Sequence, residues 1–167
     1  LPIIDESEYK GKNAILIGHT DYANSLNINF NQLEEDGYVF KPQGNNFVIA
    51  GGSKKGVLYG VYDLLEFLGF RKYTSDCTII PKGNSITLPK NDIVFVPKIK
   101  YRTTSYITGI PRRPISSRTS SNIAISNSNQ EIFSRNQEFS DWHKISSQGE
   151  TWGSFVHTFF NLMPPEK

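Results

Sequence analysis

The chain has 167 residues, enough for one ordinary domain or for a smaller domain plus the opening of another. Hydrophobic residues make up 37% of it and charged residues 20%, so it can bury a core and is not a charge-expanded disordered chain. A formal net charge of +2, with basic residues scattered among acids, removes the electrostatic footprint of a nucleic-acid binder, and no apolar run approaches the roughly 18 residues of a membrane span.

Further classes fall away with the cysteines and histidines. Cys77 is the only cysteine, which excludes an internal disulfide, and no Cys/His cluster has zinc spacing. His19, His143 and His157 are too scattered to make a motif. The opening Leu1-Pro2-Ile3-Ile4-Asp5 lacks a basic leader and a long apolar run, so localisation is not readable from the residues themselves.

In chain order, Asn13-Ala14-Ile15-Leu16-Ile17-Gly18 reads as a short strand, and Thr20-Asp21 suits the N-cap of a short helix after it. Gly37-Tyr38-Val39-Phe40-Lys41-Pro42 and Asn46-Phe47-Val48-Ile49-Ala50 are apolar segments separated by Gln43-Gly44-Asn45, whose Gly-Asn pair predicts a tight antiparallel hairpin. After Ser53, the residues Val57, Leu58, Val61, Leu64, Leu65 and Leu68 recur at spacings of three and four, which predicts a helix ended by Gly69. Leu58, Val61, Leu65 and Leu68 are the expected buried face. Gly56 and Gly60, four apart, would let that helix approach a sheet closely.

Beyond it, Cys77-Thr78-Ile79-Ile80-Pro81 and Ser85-Ile86-Thr87-Leu88-Pro89 flank a Lys82-Gly83-Asn84 turn, and Ile93-Val94-Phe95-Val96 follows; all three read as short strands. Residues 110–130, with two prolines, several Ser and Asn and the pair Arg112-Arg113, read as a long loop. Residues 131–143 regain a helical pattern through Ile132, Phe133, Phe139 and Trp142.

The stretch Val48-Ile49-Ala50-Gly51-Gly52-Ser53-Lys54-Lys55-Gly56 poses the sharpest chemical question, because glycines between a strand and a helix can cradle phosphate. A P-loop needs Lys and Ser/Thr after its second glycine, where Val57 and Leu58 stand. A dinucleotide loop needs glycine where Ser53 is, and a nucleophile elbow needs it at Lys55. The stretch therefore reads as a structural turn with Ser53 as N-cap. Asp63 and Glu66 read as solvated carboxylates with no catalytic partner, Arg71-Lys72-Tyr73 as a solvated strand start, and Arg112-Arg113 as hydrated.

Three segments in order carry a family resemblance: Gly37-Tyr38-Val39-Phe40, then Gly44-Asn45-Asn46-Phe47-Val48-Ile49-Ala50-Gly51-Gly52, then Gly56-Val57-Leu58-Tyr59-Gly60-Val61-Tyr62-Asp63-Leu64-Leu65-Glu66. They resemble the hairpin and following helix of the small domain that precedes the catalytic barrel in glycoside hydrolases, notably the hexosaminidases of family twenty and the alpha-glucuronidases of family sixty-seven. The chain is also similar to Bacteroides-type proteins with this front domain and a large glycosidase-like domain behind it. In those, Leu68-Gly69-Phe70-Arg71-Lys72-Tyr73, His157-Thr158-Phe159 and Leu162-Met163-Pro164-Pro165 have counterparts.

The resemblance implies an α+β front domain over residues 1–96, with a mixed, largely antiparallel sheet and helices packed on one face, followed by the start of a (β/α) barrel over residues 97–167. It implies a secreted, periplasmic or outer-surface bacterial protein whose partners are a glycan or polysaccharide and the remainder of its own catalytic domain. Tyr101-Arg102-Thr103-Thr104-Ser105-Tyr106 would be the first barrel strand, and Arg102 would contact sugar hydroxyls, although Thr103 stands where the hexosaminidases have glycine. Tyr106, Trp152 and His157 join it as candidate sugar contacts, since sugars are recognised through donor forks and aromatic faces. The family's acid/base carboxylates come from later barrel strands, so no catalytic residue is assigned here, and the chemistry that the resemblance implies needs neither a metal nor an organic cofactor. The function expected is the accessory front of a carbohydrate-active enzyme. A non-catalytic carbohydrate-binding or scaffolding module is the first alternative, and a nucleotide-binding domain resting on Gly51-Gly52-Ser53 the second.

Overall fold

In a computed structural model of the chain, the described residues are 2–11, 13–83, 85–99, 102 and 127–145. They fall into two compact units, one of Leu1–Arg71 with Ile79–Lys98 and one of Lys72–Thr78 with residues from Ile99 onward.

The first unit is built on a four-stranded mixed sheet. Its strands are β1 (Ile15–Ile17), β2 (Tyr38–Gln43), β3 (Asn46–Gly51) and, nearer its end, β6 (Ile93–Phe95), in spatial order β1-β3-β2-β6. β2 and β3 form the hairpin predicted from Gly44-Asn45, in register from Tyr38 opposite Gly51 to Gln43 opposite Asn46, and Gly44 turns the chain at φ 58°. Pro42 is tolerated because β6 pairs only with Tyr38–Phe40, so no ladder partner is lost on that side. β1 joins β3 in parallel, with Leu16 opposite Val48.

Strand periodicity divides the core between two faces. Tyr38, Phe40, Phe47 and Ile49 point to one side and meet Tyr59 and Leu64 of α2 (Lys54–Phe67). Leu16, Val39, Val48 and Ala50 point to the other and meet Ala23 of α1 (Asp21–Asn24) and Leu33 of a 3-10 turn at Phe30–Leu33. The helix-covered face expected from the sequence is therefore present, and the opposite face is covered as well, by the segment before β2. β3 is buried along its whole length, which is why its residues form an unbroken apolar run instead of an alternation.

Helix α2 begins and ends where Ser53 and Gly69 predict, but its buried face differs from the expected one. Gly56, Tyr59, Gly60 and Leu64 are buried, whereas Leu58 and Leu65 are half-buried on the opposite side of the helix; only Val61 and Leu68 of the expected set pack against the aromatic cluster. The two glycines set the seam. A side-chain carbon on Gly60 would lie 2.8 Å from Ile49 Cγ2, and one on Gly56 would lie 2.2 Å from the Gly37 carbonyl oxygen. Counting bulky apolar residues missed this face because its centre is defined by the absence of side chains.

Two further expectations change. Residues 85–89 form no strand: Pro81 and Pro89 bracket them, Ile86 is exposed, and Leu88 packs on the aromatic cluster from an irregular segment. Cys77–Ile79 does form a strand, β5, but it pairs with β4 (Arg71–Thr74) across the Ser75-Asp76 turn and not with residues 85–89.

In the second unit, α3 runs from Asn127 to Trp142, starting one turn before the expected boundary. It closes with the Ile145 amide on the Ser140 carbonyl, 2.8 Å, around Lys144 at φ 56°. Among its residues with described side chains, Asn136, Ser140 and Trp142 are buried. Apart from Arg102, the barrel strand expected at residues 101–106 lies outside the described residues, as does most of the loop expected at 110–130.

Candidate functional site

Ligands of sheets with parallel strands collect outside the carboxyl ends of those strands, where successive helices depart to opposite faces. β1 and β3 create this situation, since α1 leaves β1 for one face and α2 leaves β3 for the other. The residues at the crossing are Gly18-His19-Thr20 and Gly51-Gly52-Ser53, so the glycine-rich stretch singled out in the sequence lies in the position where a ligand would be sought.

The chain's own atoms occupy it. His19 donates from Nε2 to the Gly51 carbonyl, 2.5 Å, tying the end of β1 to the end of β3, and its ring lies tilted against Phe30 with centroids 4.4 Å apart. Ser53 Oγ accepts from the Lys55 amide at 3.1 Å and the Gly56 amide at 3.5 Å while donating to the Glu35 carbonyl at 2.7 Å. Gly52 is pressed on the backbone of Glu34, where a side-chain carbon would fall 1.5 Å from the carbonyl oxygen. Asp36 pairs with Lys55 at 3.5 Å. The first turn of α2 thus meets the chain's own oxygens, with the Lys55 and Gly56 amides donating to Ser53 and the Lys55 ammonium paired with Asp36. The turn reading of this stretch agrees with that geometry.

The other helix start is closed in the same manner. Thr20 Oγ1 accepts from the Ala23 amide at 3.0 Å, and the two carboxylate oxygens of Glu6 accept from the Asp21 and Tyr22 amides, each at 3.0 Å. Glu6 comes from a 3-10 turn at Glu6–Glu8 that Asp5 caps. No periodic signal marks these contacts in the sequence. The nearest clue is an acidic run just before the first strand.

Among the remaining ionisable groups, Asp63 corrects the sequence expectation. It is not a solvated carboxylate, because the hydroxyl of buried Tyr38 donates to it from the sheet; four residues past Tyr59 and three past Gly60, it lies on the sheet-facing side of α2. Burial, then the bond to Asp63 and the charges of Asp63 and Glu66, push the Tyr38 phenol well above its ordinary range. Arg71 likewise serves its own neighbourhood. Its guanidinium donates to the Glu66 and Phe70 carbonyls, both at 2.6 Å, and so closes the C-terminal end of α2.

Lys72 is a second correction. Only 4% exposed, it donates to Thr78 Oγ1 at 3.2 Å and pairs with Glu138 of α3 at 3.2 Å, while His143 bonds the Lys72 carbonyl at 2.8 Å. With Arg135 on Asp76 at 2.7 Å, these contacts fasten the β4–β5 hairpin to α3. The strand start that reads as solvated from its own residues is buried at Lys72 because a helix far along the chain covers it.

Of the four candidate sugar contacts, Arg102 is described and Tyr106, Trp152 and His157 lie outside the described residues. Arg102 donates from Nε to the Lys144 carbonyl at 2.6 Å and from Nη1 to the Ile99 carbonyl, which fixes the plane of its guanidinium at the C-terminal end of α3. Among the described residues, no group of three or more His, Cys, Asp or Glu side chains could hold a metal ion, and no helix is long and apolar enough to cross a membrane.

Comparison with known proteins adds one match. Residues 3–64 fit the family model described as "Glycosyl hydrolase family 67 N-terminus". No curated protein and no solved structure matches. The matched residues take in β1 and, as far as its buried Leu64, the β2–β3 hairpin and α2 on which the family resemblance rests. Over residues 3–64, this chain is similar to the N-terminal domain of the alpha-glucuronidases of glycosyl hydrolase family 67.

Proposed function

We propose that the chain is the front part of a glycoside hydrolase acting on a complex polysaccharide or glycan. In this reading residues 1–96 are an accessory domain, and catalysis belongs to a barrel beginning near residue 97. The observation that supports it is the coincidence of the family match with the β1–β3 and α2 scaffold. The polar groups at the strand ends of that scaffold are engaged in capping and packing, which suits an accessory role. The glycosidic bond would be broken by two carboxylates of the barrel, or by one carboxylate with help from a substrate acetamido group. The protein would be secreted by a bacterium or work in its periplasm or at its outer surface, where such substrates are met.

Arg102, Tyr106, Trp152 and His157 are the proposed sugar contacts of this chain. A guanidinium fork held in plane by main-chain carbonyls can offer paired donors to adjacent hydroxyls. The test uses a polypeptide carrying this chain together with its barrel, incubated with glucuronosyl- and hexosaminyl-capped oligosaccharides. Sugar release is expected; retention of polysaccharide without release would instead make the protein a binding module. In the same polypeptide, Arg102→Ala should lower kcat/KM while Tm holds. A lowered Tm with normal kcat/KM would reduce Arg102 to a fastening of α3.

A further inference from the structure

No further inference is drawn: the strongest candidate, the crevice at the carboxyl ends of β1 and β3 where His19, Thr20, Gly52 and Ser53 converge, consists of two helix starts closed by the chain's own Glu6, Thr20 and Ser53 oxygens, and nothing in the structure points to a ligand there.

Discussion

On one face of the four-stranded sheet, Tyr38, Phe40, Phe47 and Ile49 meet a single 14-residue helix across a glycine seam. On the other, Leu16, Val39, Val48 and Ala50 meet the 3-10 turn at Phe30–Leu33 and a four-residue helix whose first amides are held by the Glu6 and Thr20 side chains. The first cover is stabilised by burial of large rings, with Ser53 capping the start of its helix. The second is too short to be stable as helix alone, and it depends on Glu6, Thr20 and Asn46 to satisfy its amides and carbonyls. A sheet buried on both sides can therefore be closed by one regular element and one irregular one, each held by a different kind of force.

Large-to-small substitution on the helix-covered face should have the greatest effect. Phe47→Ala, at a site 2% exposed, should cost about 3–5 kcal/mol in urea unfolding. On the same helix, Leu64→Ala should cost about 2–5 kcal/mol and half-buried Leu65→Ala clearly less. Equal losses at Leu64 and Leu65 would mean that α2 turns a different side to the sheet.

The polar fastening of the opposite face should come next. Asn46 is 6% exposed; its amide donates to the Gly11 carbonyl at 3.4 Å and the Tyr22 hydroxyl at 3.2 Å, and its oxygen accepts from the Ala14 amide at 3.2 Å. Asn46→Ala should cost about 1–3 kcal/mol and raise hydrogen exchange at Ala14 and Tyr22 more than in α2. Uniform exchange across both faces would show that the irregular cover is not held separately.

Cap removal is smaller still. Ser53→Ala and Thr20→Ala should each cost about 1 kcal/mol, read as a modest fall in the denaturation midpoint. Since Ser53 also donates to the Glu35 carbonyl, its loss should be the larger of the two. The reverse order would place the greater dependence on caps at the α1 side.

The smallest effect is expected at alkaline pH. The Tyr38 phenol is raised in the folded state above its ordinary value of 10.0, so its contribution is fully present below that value and is lost as pH rises beyond it. Tyr38→Phe removes this titration, and stability measured from pH 9 upward should fall less steeply in the variant than in the parent chain. Parallel slopes would show that the Tyr38–Asp63 bond does not distinguish the two protonation states.

The outcome at α2 shows how far sequence periodicity reaches. Ser53 and Gly69 mark its ends because capping and chain reversal are local properties of those residues, and both are legible without a partner. Its facing is not local. Gly56 and Gly60 contribute nothing to an apolar count, yet they let Tyr59 and Leu64 reach the sheet, and that needs Gly37, Tyr38 and Ile49 already in place. The candidate site divides in the same way. Ser53 as a cap is visible in the residue order, but His19 on Gly51, Glu6 on α1 and Lys72 on Glu138 join residues 15 to 66 positions apart, which no spacing rule encodes.

By itself, then, the amino-acid order determined the hairpin at Gly44-Asn45, the start and end of α2, the absence of a phosphate-binding motif at Gly51–Gly56, and the family resemblance carried by residues 37–66. These depend on backbone conformational preference, hydrogen-bond capacity and apolar period within a few residues. Tertiary structure alone decided which side of α2 is buried, that β3 is covered on both faces, that β5 pairs with β4, and that Asp63 and Lys72 are engaged rather than solvated. Those outcomes depend on which surfaces exclude water from one another, and that is settled only when distant segments pack.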